Sequence, residues 1–494
     1  MTVNVQQGEL VVDSLSIVNA EQESIDVLGL TSNITIFEAI DKHFLSGRIT
    51  LVDGLALIKN YKLSGQESIT IKIRQAEGRG EFSEPEFSID KVFRIYSITD
   101  VRRPSQNQEI YTLHFIDPKF FTCHKTTVSK TLRGSYSGML LKVLEEEAGF
   151  KKLPKIGFDK WDESAPEYNQ FILPNWNINK FIRYCCANAD FKGNKTFKNS
   201  MFFYQTLSGE FRFDSFQSMT SREFPLIFSS MPRSNVDQSN RDVNEQGVGV
   251  NTQILQYKIP QRFNTMKGLV NGAYSSKMKT YDPVRKLEEE NVYSISEVFQ
   301  RGNDEGHVSS HPLIRTSDYE TTYKADELVS SSQSPDVSEE FVDLPPDQSY
   351  DALTMYRVNM TNSFSDEAKL VDASEGKQIT QQKGQEYRDT GDLERKALLS
   401  LFEQNLISAT IPFRSDISVG TVVNLQIPTA EMKTDSSGSD KLMDGRYLIG
   451  KMTYSISPIE NIGTVTMQCI KESYGADLKE YNPLQEDNVG PQKE

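Results

Sequence analysis

Five histidines, four cysteines and a few clustered carboxylates are the side chains in this 494-residue sequence that could do chemistry. Cys123 and His124 are adjacent. A thiol activated by an imidazole needs both groups on one side of the backbone, and neighbours in an extended chain point to opposite sides, so they do not read as a catalytic couple. His307 and His311 have the spacing of a shared helical face, but the run GHVSSHP is too rich in Gly and Pro to hold a metal on a helix. His114 lies between Leu113 and Phe115 and should point away from both as an ordinary strand residue. The remaining histidine, His43, carries no motif. Cys123, Cys185, Cys186 and Cys469 lack metal-ligand spacing and read as buried free thiols of a reducing compartment.

Two carboxylate groups stand out. Glu145, Glu146 and Glu147 close a helical pattern and read as a solvated charge run. Asp159, Asp162 and Glu163 surround Trp161 in FDKWDES. A glycosidase needs two carboxylates across a cleft with an aromatic platform, so this loop is the one enzymatic alternative, a cell-wall glycan hydrolase. No phosphate-binding glycine loop, G-x-S-x-G or H-E-x-x-H occurs. The sequence therefore assigns no catalytic, metal or cofactor-binding residue, and the expected protein is not an enzyme. A net charge of −15 argues against a nucleic-acid binder. It suits a conduit through which DNA passes without sticking. No apolar run is long enough for a transmembrane helix, and MTVNVQQGELVVDS has no signal-peptide pattern.

The elements that would position these residues are mostly strands. Val423–Ile427, Tyr447–Ile456 and Val465–Ile470 read as three strands, the last two joined by the short turn SPIENIG. The same design stands 354 residues earlier at Ile69–Ile73, Phe93–Ile98 and Tyr111–Ile116. Without a gap, Ile69, Ile71 and Ile73 fall on Val423, Leu425 and Ile427. Phe93, Ile95, Leu113 and Phe115 fall on Tyr447, Ile449, Met467 and Cys469, and Pro104 on Pro458. A duplicated β module lets three chains present six similar units, which would join a threefold partner to a sixfold one.

The expected fold is mainly β with α+β insertions: two similar small β-barrel, tube-like domains, a mixed α/β domain and a long polar insertion. Residues 1–118 form the first barrel, with further strands at Leu10–Val18, Ser24–Leu28, Asn33–Phe37 and Gly47–Val52, punctuated by Ser46-Gly47 and Asp53-Gly54. Residues 119–232 are the α/β unit. Its helices lie in Gly134–Phe150, capped by Ser135 or Ser137, and after Asn175 or Asn177, with Ile178, Phe181, Ile182, Cys185 and Cys186 on a buried face. A hairpin turns at Ser208-Gly209. Residues 233–280 and 407–473 form the second, split barrel, with strands at Thr252–Ile259, Asn264–Val270 and Ile407–Phe413. Residues 281–406 are an insertion, polar to about 380, with VYSISEVF and ALTMYRVNM as its ordered parts and a returning helix strongest at Asp392–Leu406. Residues 474–494 are a polar tail.

In this order of segments the chain resembles the baseplate hub protein of contractile-tailed, T-even-like phages. The matched stretches are SGRITLVDG, NWNINKFIRYCCANAD, TQILQYKIPQRFNTMKGLVNGAYSSKMKTYDPVRKL, ISATIPFRSDISVGTVVNLQIP and GRYLIGKMTYSISPIENIGTVTMQCIKES. The resemblance implies a structural homotrimer whose barrels form a pseudo-sixfold ring between the trimeric cell-puncturing spike and the hexameric tail tube. It implies other baseplate proteins as partners, DNA only in transit through the lumen, no membrane insertion, and a place in the virion after synthesis in the host cytoplasm. A related contractile injection machine would need the same adaptor. Asp53, Glu67 and Asp440 are barrel-loop acids that such a lumen could use. The alternatives from other classes are the hydrolase at Trp161, then tail-associated, and a receptor-binding or adhesion module without a ring.

Overall fold

The computed structural model describes residues 8–19, 21–75, 89–151, 153–157, 160–165, 169–192, 197–230, 252–261, 264–282, 287–295, 298, 352–358, 369–371, 378–380, 386–428 and 443–472. His307, His311, Asp159, Asp440 and the tail 474–494 lie outside these residues, as does most of the polar insertion.

The first seven strands are β1 (Leu10–Val18), β2 (Ser24–Asp26), β3 (Thr31–Ala39), β4 (Ser46–Asp53), β5 (Ser68–Gln75), β6 (Ile89–Ser105) and β7 (Gln108–Ile116). β1, β4 and the first half of β6 alternate buried and more exposed positions, as a sheet with one covered face requires. The expected turn at Ser46-Gly47 is instead part of β4. A Cβ on Gly47 would collide with the Phe115 ring and the Thr35 carbonyl, so this glycine serves close packing within the sheet.

Next come α1 (Pro118–Lys125), β8 (Thr127–Gly134), α2 (Tyr136–Glu146), β9 (Ser164–Ala165), β10 (Asn169–Asn177), α3 (Ile178–Asn188), β11 (Asp190–Phe191), β12 (Met201–Gln205), β13 (Phe211–Ser215) and β14 (Glu223–Ser229). Each helix has its capping residue. Ser135 accepts from the Gly138 amide, Asn177 from Lys180, and Asp117 from Lys119 with Pro118 in the first turn. Ile178, Phe181, Ile182, Cys185 and Cys186 are all buried, as their spacing predicts. They share a second core with Trp161, Phe203 and Phe213 of the hairpin β12–β13. The sequence reading missed α1 and the pair β8·β10.

The rest comprises β15 (Gln256–Gln261), α4 (Thr265–Asn271), β16 (Ser275–Asp282), β17 (Leu287–Ser294), β18 (Thr354–Val358), β19 (Lys369–Val371), β20 (Gln378–Thr380), α5 (Glu386–Leu401), β21 (Asn405–Pro412), β22 (Val422–Gln426), β23 (Gly445–Ser457) and β24 (Ile462–Lys471). Two expectations fail here. Asn264–Val270 is a helix, because Asn264 caps it at Lys267 and Gly272 ends it at φ 71°. The returning helix stops at Leu401 instead of Leu406, and Asn405 and Leu406 already pair in β21. Gly391 lies within α5, where a Cβ would strike the Asn199 side chain.

The sheet carries the duplication. Ile69 faces Phe93 and Val423 faces Tyr447. Arg94 faces Ile116 and Leu448 faces Ile470; Ile95 faces Phe115 and Ile449 faces Cys469. Both long strands then bulge at the same residue, Tyr96 in β6 and Gly450 in β23, and resume with Ser97 on His114 and Lys451 on Gln468. The match extends to strands the sequence comparison did not align. Ser46 faces Ile116 as Leu406 faces Ile470, so β4 corresponds to β21. By the same logic β3, paired to β4, corresponds to β15, paired to β21. Each module therefore has the order β3-β4-β7-β6-β5 or β15-β21-β24-β23-β22. The two are joined in one 13-stranded sheet. Among the described residues the main run of that sheet ends at β15 and β2, β14 adds a parallel branch on β22, and the strand pairing does not close either module into a separate barrel.

Candidate functional site: the joint between the modules

The modules meet where β23 of the second receives β3 of the first, antiparallel, from Lys451 opposite Ala39 to Ile456 opposite Ile34. The geometry permits this because β22 and the two residues leading into it, Gly420 and Thr421, cover the edge of β23 only as far as Ile449. Beyond that point the donors and acceptors of β23 are left for another strand. Ile34, Ile36, Met452, Tyr454 and Ile456 are all buried along the joint. On its outer side Lys451 and Asp41 are 3.2 Å apart. Both are about half exposed, so this ion pair contributes less than about 1 kcal/mol.

The joint buries one carboxyl group. Glu38 is 2% exposed on β3, in register with Met452. Its Oε2 accepts from the Tyr454 hydroxyl at 2.8 Å and its Oε1 from the Val419 amide at 3.2 Å. Burial pushes its pKa up to about 7, although the Tyr454 and Val419 hydrogen bonds oppose that rise. Glu38 thus ties β3 to β23 and to the loop before β22. The sequence analysis did not single it out, although it continues the inward parity of Ile34, Ile36 and Ile40.

A heterologous joint has two unlike halves. In the first module β6 stands where β23 stands in the second, and in the second module β15 stands where β3 stands in the first. Among the described residues, β5 covers β6 no further than Ile95, and from Ser97 onward β6 pairs with β7 alone. Among the same residues β15 pairs with β21 alone. Among the described residues, each chain therefore contains one completed joint and both open halves of another.

The sequence candidates for chemistry are dispersed. Cys123 is fully buried in α1, while His124 stacks on Phe120. The backbone there is helical rather than extended, but burial still pushes the thiol up to about 12, which removes it as a nucleophile. His114 points away from the buried Leu113 and Phe115, with Nε2 2.9 Å from the Thr99 hydroxyl. Trp161 is fully buried, its indole N–H donating to the Ser137 carbonyl at 3.3 Å, so it offers no sugar platform. A cavity of about 600 Å³ lies beside it, lined by Lys160, Asp162, Glu163, Lys192, Arg212 and Arg222 among others. There Asp162 accepts from the Ser215 amide at 2.6 Å and Glu163 pairs with Lys192 at 3.3 Å. Lys130 bridges Glu146 and Glu147 at the surface. Asp53 and Glu67 are turned inward rather than presented to solvent. Asp53 is buried and accepts from the Leu55 and Leu57 amides and the Tyr111 hydroxyl. Glu67 is buried and accepts from the Ser64 and Gly65 amides.

No family model and no curated relative matches the sequence. Solved structures do resemble it in layout. A 43 kDa tail protein of prophage MuSo2 from Shewanella oneidensis is 9% identical, with TM-score 0.46 over 93% of this chain and 98% of that one. The tail protein from Neisseria meningitidis MC58 is 9% identical, with TM-score 0.45 over 93% and 96%. The E. coli c3393 protein, a component of the type VI secretion system with structural similarity to T4 phage tail proteins gp27 and gp5, is 8% identical, with TM-score 0.37 over 94% and 77%. Among the described residues no helix is long and apolar enough to cross a membrane.

Proposed function

We propose that this chain is the structural hub of a contractile phage tail baseplate, a homotrimer that adapts threefold to sixfold symmetry. Three chains supply six β modules in a ring, with the trimeric spike on one side, the hexameric tail tube on the other and a channel for DNA between them. Residues 1–118 and the split pair 233–280 and 407–473 are the ring modules. Residues 119–232 and 281–406 lie outside, toward other baseplate proteins, and the tail 474–494 reaches the spike. The protein functions in the virion after synthesis in the host cytoplasm.

The observation that carries this reading is the register match between the modules, bulge included. Two unrelated β units have no reason to bulge at equivalent residues, whereas two positions of one ring do. The net charge of −15 agrees with a lumen that repels DNA. The hydrolase alternative loses its platform with Trp161 in the core. Stoichiometry tests the adaptor role. Native mass spectrometry of the chain bound to its tube should show three copies per six tube subunits. Six copies per six tube subunits, or no tube binding at all, would refute the role.

A further inference from the structure

We propose that a second copy of this chain seats β15 on the open edge of β6, remaking between chains the joint that β3 and β23 make within one. This inference rests on the ring reading and names the surface that closes it. The internal joint fixes the register. Thr453 faces Phe37 across it. Thr99 occupies the place of Thr453, since Thr99 pairs with Thr112 as Thr453 pairs with Thr466. Gln261 occupies the place of Phe37, since Gln261 pairs with Leu406 as Phe37 pairs with Ser46. Thr99 should therefore lie opposite Gln261 of the next chain.

Past that anchor, both open edges depart from the internal joint, and they depart together. β6 carries one extra residue after Thr99, where Asp100 adopts φ 54° and the pairing to β7 shifts. β15 carries one extra residue before Gln261, where its pairing to β21 shifts between Lys258 and Gln261. An extra residue in one strand alone would move every later side chain to the wrong face. Extra residues in both strands, at facing positions, restore the register. Pro260 then falls at the bulge, where its lack of an N–H costs no ladder bond.

Beyond the bulges Val101 lies opposite Ile259, the places that Tyr454 and Ile36 hold in the internal joint. Tyr454 and Ile36 are fully buried, whereas Val101 is 53% and Ile259 39% exposed. The two exposed apolar residues would cover one another. One step further Arg102 faces Lys258, a like-charged pair, so the joint should tighten as salt rises.

The test uses two single-cysteine variants of the full chain, Val101→Cys and Ile259→Cys. The four native cysteines are buried and do not compete. Directly opposed residues in an antiparallel pair have Cβ atoms about 4.5–5.5 Å apart, close enough for oxidation or a short bis-maleimide to join them. Mixed chains should give a covalent dimer, and neither variant alone should give one. A chain carrying both cysteines should give covalent species up to the number of chains in the ring. If the wild type assembles but the mixture stays uncrosslinked by both reagents, the joint is elsewhere and this inference fails while the ring stands. Crosslinking of Val101→Cys with itself would mean a twofold contact and would also refute it. A chain that stays monomeric with its spike partner overturns the ring and the inference together.

Discussion

Replacing Glu38 by Gln should remove a pH dependence of roughly 3 kcal/mol from the stability of the protein. Glu38 has an ordinary value of 4.5 and is raised to about 7 by burial at the joint. A carboxyl whose folded pKa is raised binds more protons folded than unfolded between those two values. Its contribution is therefore fully favourable below pH 4.5, declines as pH rises to about 7, and stays constant above that. Glutamine carries no such linkage. It also fits, because its carbonyl can accept from Val419 while its amide donates to the Tyr454 oxygen. The Tyr454 hydroxyl can in turn donate to the Ile417 carbonyl, 3.3 Å away. Burial lowers the pKa of His43 below its ordinary 6.5, which contributes a slope of opposite sign below that pH in both proteins. The difference between the two unfolding curves, measured by denaturant at pH 4.5, 6 and 7.5, isolates Glu38. Parallel curves would mean that Glu38 is not buried at the joint as described.

Trp161→Ala should cost about 3–5 kcal/mol, the range for removing a buried large aromatic side chain. Trp161 is fully buried, packs with Phe203 and Phe213 at centroid distances of 6.2 and 5.5 Å, and donates to Ser137. The loss falls on the second core, which holds α2 and α3. The denaturation midpoint should drop, and Trp161→Phe should recover part of the loss by filling much of the volume. A hydrolase that used Trp161 as a sugar platform would behave in the opposite way. Its Ala variant would keep its stability and lose glycan cleavage, and that outcome would reverse the reading of this loop.

The parts of the fold that show in the sequence are those with local signals. Alternation placed β1, β4, β5, β7 and β22 to β24, and the caps Ser135 and Asn177 placed α2 and α3. The repeat was visible because Ile69, Phe93 and Leu113 share the inward parity of Val423, Tyr447 and Met467. Its register and matched bulge were not, because a bulge leaves no residue type behind: Tyr96 and Gly450 have nothing in common as side chains. The helix that replaces the expected strand at Asn264–Val270 is signalled only at its ends. Asn264 and Gly272 are a helix cap and a helix stop, and the apolar residues between them are too few to decide by period. The helix α1 had its own signal in Asp117-Pro118. The joint between β3 and β23 links residues more than 400 positions apart, so no local pattern could disclose it. Glu38 was hidden for the same reason, since its partner Tyr454 belongs to the other module.

The ring is the central claim, and single-particle cryo-electron microscopy of the purified assembly tests it most directly. The account predicts three chains around an open channel, with six β modules in one continuous sheet and β6 of each chain against β15 of the next. Particles that hold a single chain, or dimers with the β6 and β15 edges still exposed, would contradict it.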